Sequence, residues 1–422
     1  MITYQSKLFG QTRKQPPKDE VSVNAQLLIR AGFIEKNLSG VYTYLPLGLR
    51  VLRKIEAIIR QAMNELGAQE LLLPTLQNKE VWQVSGRWQN RVGGSMYQFK
   101  DSSGKELGLA PTHEEQITDI IRKQVKSYKD LPFYLYQIQN KFRDEPRAKS
   151  GLIRGREFLM KDLYSFTQSA EETQVFYKQV IASYLEIFNQ LGLEAFLVEA
   201  SGGSMSKKHS HEFMVATEAG EDVTLLCSHC HWAQNQEIAA VQEGQPCPKC
   251  GRPVKKMKTV EAGNIFDQET VYTKPFKAFF TDRDGQSKLI QMGAYGLGLG
   301  RAMGTIVEAS HDDRGIIWTK KSAPFDTHLI LLSDNNKVQS AGQTVIKELS
   351  KLYDILVDDR ELSVGQKLTD ADLIGIPLQI IIGERNLPEL EVKTRFNNKV
   401  NKIKIKELAK VMTGFYADKA VR

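Results

Sequence analysis

Apolar residues recur at helical spacing between residues 47 and 66, at Leu49, Leu52, Ile55, Ile59, Met63 and Leu66. This spacing predicts an amphipathic helix that ends near Gly67 and leads into a strand at residues 70–74. Short apolar runs that alternate with helical segments continue to about residue 320. Such an order is typical of an α+β domain built around an antiparallel sheet.

The pattern of apolar residues changes after residues 322–324. Beyond this point, short apolar runs predict buried strands and longer stretches with helical spacing predict helices. The predicted strands cover residues 327–332, 355–357 and 378–382, and the predicted helices cover about 338–353 and 405–416. We therefore expect this part of the chain to form a small α/β domain of its own.

The composition sets only broad limits on fold and partners. The 422 residues, of which 41% are hydrophobic and 25% charged, suffice for a buried core and suggest two or three domains. A net charge of +7 is compatible with a polyanionic partner such as RNA but does not require one. The apolar runs are far shorter than a membrane span, and the N-terminus lacks the apolar core of a signal peptide. We expect a cytoplasmic protein with no membrane partner.

Two arginines, a glutamate and an aromatic residue surround a predicted β-hairpin. The pattern predicts Arg143 and Glu145 on one strand, and Arg154 and Phe158 on the next. An arginine can pair bidentately with a phosphate, a carboxylate can accept from an adenine amino group, and an aromatic ring can stack on a base. The hairpin thus has the groups of an ATP clamp, although a solvated cross-strand ion pair is the alternative when these residues are taken alone.

A glycine-rich run at residues 293–301 predicts a strand that enters an apolar helix. Glycines at this density let a ligand approach the backbone closely, and Arg301 lies at the helix start, where a phosphate is favoured. A flexible buried turn is the alternative for the run by itself. The run and the arginine hairpin together favour a nucleotide site.

These segments resemble the class II aminoacyl-tRNA synthetases. The hairpin resembles the second signature motif, the glycine-rich run resembles the third, and the first motif can be placed at residues 67–74. Within the class, the bacterial-type prolyl-tRNA synthetases are similar over nearly the whole chain. The similar segments are residues 6–9, 28–33, 39–48, 85–88, 111–115, 210–213, 359–360 and 375–377.

The resemblance implies an α+β fold, with an antiparallel-sheet catalytic domain and a C-terminal α/β anticodon-binding domain. It implies a ligase that activates L-proline with ATP to prolyl-adenylate and transfers the prolyl group to the 3′ end of tRNA(Pro). A homodimer formed through the first motif is also implied, and no DNA partner is expected. The expected domains are residues 1–226 and 261–322 for the catalytic domain, 227–260 for an insertion, and 323–422 for the anticodon-binding domain.

The resemblance assigns roles to the nucleotide-site residues. Arg143 would bridge the α-phosphate and the proline carboxylate, and Arg301 would hold the γ-phosphate. Arg154 would assist at the bent phosphate tail, Phe158 would stack on adenine, and Glu145 would lie near the adenine edge. Mg²⁺ is implied as well, with no ligand assigned.

A proline site is expected beside the nucleotide site. Thr112 and Glu114 match the family's Thr-x-Glu positions, and their oxygens can accept the two N–H groups of the proline ammonium. A helix capping box formed with Glu115 is the alternative. The resemblance adds these residues to the pocket: Arg143, Met160, His211, Glu237 and Ala294, the last standing where the family often has cysteine or serine.

In the C-terminal domain, Asp359, Arg360 and Lys367 are expected to contact tRNA, and solvated surface charges are the alternative.

All four cysteines fall into two Cys-x-x-Cys pairs, Cys227 with Cys230 and Cys247 with Cys250. This spacing predicts a structural zinc site, because four thiolates complete the tetrahedral coordination of the ion and leave no open position. The pairs lie where many bacterial prolyl enzymes carry a large editing domain, and the 227–260 segment is too short for that fold. We therefore expect no editing of alanyl-tRNA(Pro) in cis.

Two other functions fit parts of the sequence. Another class IIa synthetase, such as a threonyl or histidyl enzyme, would share the nucleotide motifs. Thr112, Glu114 and the 210–213 segment argue against it. A catalytically inactive paralogue that acts as an RNA-binding or regulatory protein is the second alternative, and the presence of Arg143, Glu145 and Arg301 argues against it.

Overall fold

The computed structural model describes residues 1–148, 150–203, 205–206 and 210–418. The chain divides into two compact units. The central unit comprises residues 38–41 and 56–305, and the terminal unit comprises residues 1–37, 42–55 and 306 onward. No helix in the described ranges is both long and apolar enough to cross a lipid bilayer.

The α-helices of the described residues are α1 (Val23–Arg30), α2 (Pro46–Glu65), α3 (Lys79–Val84), α4 (Glu114–Gln124), α5 (Ala170–Gln190), α6 (Leu299–Ala309), α7 (Asn336–Leu349), α8 (Val364–Ile374) and α9 (Leu408–Ala417). The strands are β1 (Ile2–Tyr4), β2 (Ile34–Leu38), β3 (Val41–Tyr44), β4 (Gln69–Glu70), β5 (Leu76–Asn78), β6 (Gln98–Lys100), β7 (Glu106–Leu109), β8 (Phe133–Phe142), β9 (Glu157–Thr167), β10 (Ala195–Ala200), β11 (Ser210–Ala216), β12 (Asp222–Leu226), β13 (Ala233–Asn235), β14 (Lys255–Glu269), β15 (Phe279–Thr281), β16 (Ser287–Leu289), β17 (Gln291–Gly298), β18 (His311–Asp312), β19 (Gly315–Ile316), β20 (Thr327–Leu331), β21 (Ile355–Asp358), β22 (Leu378–Ile382), β23 (Glu389–Thr394) and β24 (Val400–Lys404).

A largely antiparallel sheet forms the centre of the central unit. Its strand order is β11-β10-β13-β12-β14-β17-β9-β8-β4 within the described residues. Helix α5 begins after Ser169, whose side chain accepts a hydrogen bond from the Glu172 amide. The helix packs its apolar face on the sheet, where the ring of Phe176 meets that of Tyr295 edge to face at 5.7 Å. This packing fixes β9, β14 and β17, the strands that carry the candidate site.

The terminal unit contains a mixed sheet with the order β1-β21-β20-β22-β23-β24. Strands β1, β21, β20 and β22 are parallel, and α7 and α9 cover one face of the sheet with apolar side chains. The N-terminal strand β1 is held at the edge by its pairing with β21 and by an ion pair between the Met1 ammonium and Asp354 at 2.6 Å. Helix α8 ends at Gly375, whose φ of +81° favours glycine.

The predicted α+β class is confirmed, and the helix predicted at residues 47–66 is present as α2. The strand predicted at residues 70–74 is wrong beyond its first residue. The β4 strand ends at Glu70, and the Leu73 amide instead donates to the side chain of Gln137 at 2.9 Å. The two helices predicted for the C-terminal domain are present as α7 and α9, with ends shifted by up to four residues. Residues 1–37 belong to the terminal unit, together with the C-terminal segment. The predicted domains instead place residues 1–37 with residues 38–226.

Candidate functional site

Strands β9, β12, β14 and β17 and the loop that follows β8 line a cavity of about 380 Å³ in the central unit. Strands β8 and β9 pair from Phe133 with Phe166 to Phe142 with Glu157, so the connecting loop opens at the cavity. All five residues predicted to bind ATP line the cavity. They are Arg143, Glu145, Arg154, Phe158 and Arg301.

Arg143 is held against the wall of the cavity. Its Nε donates to the carbonyl of Pro111 at 3.2 Å, and its guanidinium lies 5.2 Å from the centre of the Phe158 ring. Burial, and then the charge of Arg301, lower the pKa of Arg143 from its ordinary value. Two cations that repel each other across a cavity favour an anion between them.

Arg301 lies in the first turn of α6, directly after the glycine-rich strand. Its Nε donates to the Ile153 carbonyl at 2.9 Å, and its Nη1 lies 3.2 Å from the Glu261 carboxylate. A Cβ at Gly296, in the strand before it, would lie 2.5 Å from the Met160 Cε and 2.8 Å from the Asn264 Oδ1. Gly296 and Gly298 line the cavity with backbone alone, because glycine has no side chain.

The hairpin differs from its prediction in one respect. Arg143 and Glu145 follow the end of β8, and Arg154 precedes β9, so only Phe158 lies on a strand. Arg154 pairs with Glu145 at 2.8 Å and with Glu221 at 2.9 Å. Arg154 thus connects one end of the loop to the other end and to Glu221 before β12, and the prediction that Arg143, Glu145 and Arg154 lie on strands was wrong.

Carboxylates from two other strands also line the cavity. Asp222 and Glu261 line it, on the paired strands β12 and β14. Burial, and then the charge of Glu261, raise the pKa of Asp222 to about 6. The same causes raise the pKa of the nearby Glu212 to about 8. This cluster has an excess of negative charge that a cation would relieve.

Thr112 and Glu114 lie at the start of α4 and are hydrogen-bonded to each other. The predicted capping box is absent. His113 occupies the N-cap position of α4 without a capping hydrogen bond from its side chain, and Glu115 accepts from Ser85 at 2.8 Å and from Arg87 at 3.0 Å. The hydroxyl and carboxylate of the Thr-x-Glu pair are therefore not occupied by the helix end.

A buried ion pair lies beneath this pair of residues. Lys141 and Asp162 face each other across β8 and β9 at 2.6 Å, and Asp162 also accepts from Gln137 at 2.8 Å and from Tyr164 at 3.0 Å. Burial, and then the charge of Lys141, lower the pKa of His113 to about 4. These contacts fix the backbone between the nucleotide cavity and Thr112.

The remaining predicted proline residues are distributed around the cavity. Met160 lines it. His211, on β11, shares a hydrogen bond of 2.8 Å between its Nδ1 and the Tyr177 hydroxyl. Ala294 is buried on β17 opposite Tyr164, and Glu237 is exposed in the turn after β13. The last three are not among the residues that line the cavity.

The four cysteines come together at the tip of a segment that we call the ribbon, residues 227–254. Their sulfurs lie within 4.8 Å of one another, with Cys227 to Cys250 at 3.5 Å and Cys230 to Cys247 at 3.6 Å. The two pairs form matching turns. In each, the amide that follows the second cysteine donates to the carbonyl of the first, and the residue that carries this amide, His231 or Gly251, has a positive φ. Sulfurs bound at 2.3 Å to a tetrahedral ion lie about 3.8 Å apart, so the cluster fits zinc.

The three residues predicted to contact tRNA lie in the terminal unit and make internal contacts. Asp359 accepts from the Ser6 amide at 3.0 Å. Arg360 pairs with Asp358 at 2.8 Å and with Asp370 at 3.0 Å. Lys367 is buried and donates to the Leu331 carbonyl. These contacts leave the prediction of tRNA binding untested.

The sequence interpretation missed the carboxylates of the cavity. Asp222 and Glu261 lie on strands whose other residues are mostly apolar or basic, and the polar Glu261 and Asn264 interrupt an otherwise buried part of β14. These polar residues were the signal from which the site could have been found. They mark a charged position in a buried strand, but the sequence does not show which strand lies beside that position.

Comparisons with known proteins agree with this geometry. Residues 97–310 match the family described as tRNA synthetase class II core domain (G, H, P, S and T), and residues 326–414 match the family described as anticodon binding domain. The proline–tRNA ligase of Wolbachia pipientis wMel is 41% identical over 415 residues, which cover 95% of this chain and 97% of that protein. The proline–tRNA ligase of Sulfurihydrogenibium is 34% identical over 527 aligned positions, which cover 90% of this chain and 93% of that protein.

A solved structure has the same fold. The prolyl-tRNA synthetase of Cryptosporidium parvum, in complex with L-proline and AMP, matches with a TM-score of 0.75 over 93% of this chain and 75% of that chain, at 18% identity.

Proposed function

Because the chain belongs to the class II proline–tRNA ligases, we propose that its cavity activates L-proline with ATP and that the prolyl group then passes to the 3′ end of tRNA(Pro). One observation carries the proposal. Arg143, Glu145, Arg154, Phe158 and Arg301 come from two separate parts of the sequence, the hairpin and the glycine-rich run, and line one cavity.

The reaction needs no general base, since the proline carboxylate is already a nucleophile. The enzyme has to hold it in line with the α-phosphate and neutralise charge as pyrophosphate departs. Arg143, on one side of the cavity, would contact the α-phosphate and the carboxylate. Arg301, on the other side, would hold the γ-phosphate. Their mutual repulsion would be relieved when the phosphates bind between them.

The adenine site would lie along Phe158, whose ring already stacks with Arg143. Glu145 would face the adenine edge, and Arg154 the bent phosphate tail. Arg154 and Glu145 pair with each other at 2.8 Å, so we propose that ATP binding replaces part of that pairing. A charge-assisted contact with phosphate would offset the loss.

Mg²⁺ would bind at the carboxylates of the same cavity. Asp222 and Glu261 fit a cation that prefers oxygen ligands, and burial, followed by the charge of Glu261, raises the pKa of Asp222 to about 6. When bound, the ion would neutralise charge on the phosphates. Glu212, with its pKa raised to about 8, is close enough to respond to the same ion.

Proline would bind beside Thr112 and Glu114, whose oxygens supply acceptors for its ammonium group. The other contacts proposed for the ring and carboxylate are with Arg143, Met160, His211, Glu237 and Ala294. With alanine at position 294 the pocket has no hydroxyl or thiol there, which would change selectivity without closing the site.

Zn²⁺ would bind at the ribbon, where the four sulfur positions support a structural site.

We also propose that this enzyme does not edit alanyl-tRNA(Pro) in cis. The Sulfurihydrogenibium relative aligns over 527 positions, more than the 422 residues of this chain, whereas the Wolbachia relative aligns over 415. Relatives with and without an additional segment therefore exist, and this chain resembles the shorter type. Rapid deacylation of alanyl-tRNA(Pro) by the purified protein would overturn the proposal.

The remaining proposals concern partners and location. Contact with tRNA through Asp359, Arg360 and Lys367 would require the ion pairs of Arg360 to be exchanged for phosphate contacts. We also propose a homodimer and a cytoplasmic location, and four free cysteines suit a reducing compartment. The alternative is a catalytically inactive paralogue that binds RNA. Such a protein would have the same fold but would not activate proline.

ATP–pyrophosphate exchange with each of the twenty amino acids tests the proposal. We expect exchange with proline and its loss in Arg143→Ala. Arg147→Ala is the matched control, because Arg147 is exposed in the same loop and does not line the cavity. Exchange with threonine or histidine instead would assign another class IIa activity. No exchange with any amino acid would favour the inactive paralogue.

A further inference from the structure

The ribbon and the start of β14 carry an uneven distribution of charge. Between residues 227 and 258 the acidic residues are Glu237 and Glu243, and both precede position 244. The basic residues follow together within ten positions. We call them the basic surface: Lys249, Arg252, Lys255, Lys256 and Lys258.

All five residues of the basic surface are exposed, and none of them forms an ion pair with the described part of the chain. By contrast, Arg360, Lys393 and Arg395 are cations of the terminal unit that are partly or fully buried, and each is paired with an aspartate. Unpaired cations at this density repel one another and contribute nothing to the stability of the unit. Their clustering is therefore better explained by a polyanionic partner.

The same two strands connect the basic surface to the reaction cavity. Strand β12 runs from Asp222, in the cavity wall, to Leu226, which directly precedes Cys227. Strand β14 pairs with it from Lys255 to Thr259, with Lys258 opposite Val223 and Lys256 opposite Leu225, and continues to Glu261 in the cavity wall. At a rise of about 3.3 Å per residue, Lys258 lies roughly 10 Å and Lys255 roughly 20 Å along the strand from Glu261.

A hydrogen bond of 2.9 Å between the hydroxyls of Thr224 and Thr259 joins the two strands at this level. The ribbon is therefore attached to the cavity by a paired stem, which keeps the basic surface at a set distance from the reacting groups. Lys256 and Lys258 alternate with Met257, so their side chains leave the same face of β14. Lys256 also borders a second, open cavity of about 330 Å³.

We propose that the basic surface binds phosphates of the acceptor arm of tRNA while its 3′ end is in the cavity. The inference rests on the proposed function, which brings the terminal ribose to the site of prolyl-adenylate. The arm of any tRNA held there must leave the cavity, and a nucleic acid duplex carries about one charge per 1.7 Å of its axis. Over the distance between the cavity and the ribbon, several phosphates pass within reach of the five cations.

The interaction is predicted to be electrostatic and independent of base sequence. Lysine and arginine on a strand and a turn can contact phosphates, but the surface presents no paired hydrogen-bonding groups arranged to read base edges. Binding should therefore weaken with salt. Because affinity varies as the salt concentration to a power of about −0.9 per neutralised phosphate, removing one lysine–phosphate interaction costs about fivefold in affinity at 0.15 M salt.

The test compares three double variants of the full chain. Lys256→Gln/Lys258→Gln alters the strand, Lys249→Gln/Arg252→Gln alters the ribbon tip, and Lys178→Gln/Lys274→Gln is the control. The control removes the same charge from exposed positions elsewhere in the central unit. ATP–pyrophosphate exchange with proline, which needs no tRNA, checks that each variant is folded and that the cavity is intact.

We expect the KM for tRNA(Pro) in aminoacylation to rise at least fivefold in both ribbon variants and to stay within twofold of wild type in the control. The slope of log KM against log salt should fall by about one for each phosphate that a variant no longer neutralises. Exchange should be unchanged in all three. In direct binding, the ribbon variants should lose affinity for an acceptor-arm minihelix and retain their affinity for the anticodon stem-loop.

Unchanged KM and salt slope in both ribbon variants, with exchange intact, would refute the proposal and leave an acidic protein as the partner to test. Equal losses in the control would refute it also, since the effect would then reflect net charge. Failure of the wild-type protein to support exchange would count against the proposed function instead. Minihelix binding by the ribbon would still be measurable in that case.

Discussion

Replacing Asp162 with asparagine would remove one charge from the buried ion pair beneath the candidate site. Lys141 has no exposed surface and Asp162 is 5% exposed. Burial raises the pKa of Asp162, but Lys141, followed by His113, outweighs it, so the pKa of the aspartate is lowered. Burial lowers the pKa of Lys141, and the Asp162 carboxylate 2.6 Å from its Nζ opposes that shift. Asparagine would leave the buried Lys141 ammonium without this counter-ion.

The expected cost follows from the interactions that remain. Removing one partner of a buried pair typically costs about 3–5 kcal/mol. Asparagine keeps the shape of the side chain and can still accept from Tyr164, so we expect the lower end, about 3 kcal/mol. That is a large share of the roughly 5–15 kcal/mol that stabilise a folded domain.

Urea unfolding followed by tryptophan fluorescence measures this change. Trp82, Trp88 and Trp232 report on the central unit and Trp318 on the terminal unit, so the transition of the central unit should move to lower urea. Asp119→Asn is the control. Asp119 pairs with Arg122 and Lys123 on the outer face of α4, and exposed pairs of this type contribute about 1 kcal/mol or less.

A double variant makes the argument stricter. Lys141→Met/Asp162→Asn removes both charges, so no isolated ion stays buried, and more than half of the lost stability should return. If the two substitutions are additive, with the double variant as unstable as the sum of the single ones, the ion-pair reasoning is refuted.

The other predictions concern the metal, the pH dependence and the adenine site. The purified protein should contain one zinc ion per chain. The Cys247→Ser variant should lose the zinc, whereas the variant Ser228→Ala, at an exposed position, should keep it. Plasma emission spectrometry measures the zinc content of both variants. Because burial lowers the pKa of His113 to about 4, the stability that its neutral form contributes is present above pH 6.5 and is lost as pH falls towards 4. His113→Gln should flatten the unfolding free energy between these pH values, and an unchanged slope would contradict the assignment. Phe158→Ala should raise the KM for ATP about threefold to tenfold, from a stacking contribution of about 0.5–1.5 kcal/mol, with the KM for proline nearly constant; equal increases in both would show that the substitution disturbs the whole site.

The sequence predicted the parts of the site that are local. The hairpin arginines and the glycine-rich strand each lie within about twenty consecutive residues. The two Cys-x-x-Cys pairs are recognisable from the spacing of the cysteines alone. The carboxylates were missed because Asp222 and Glu261 meet only through the pairing of β12 with β14. Side-chain spacing along one strand does not show which strand will lie beside it.

Long-range pairing also explains the errors in the fold. Strand β1 pairs with β21 more than 350 residues later, and no local pattern at residues 2–4 indicates that partner. The strand predicted at residues 70–74 has the right composition, but Pro74 lacks an N–H group for a sheet ladder and the Leu73 amide donates to a side chain. At residues 71–74 a tertiary contact therefore determines the conformation, and the local preference for a strand does not.

Aminoacylation of tRNA transcripts with labelled proline tests the central claim most directly. We predict that the purified protein charges tRNA(Pro) with proline, that tRNA(Thr) and tRNA(His) remain uncharged, and that Arg143→Ala abolishes the reaction while Arg147→Ala preserves it. Charging of none of these tRNAs by a folded wild-type protein, with proline and ATP at saturating concentration, would contradict the account.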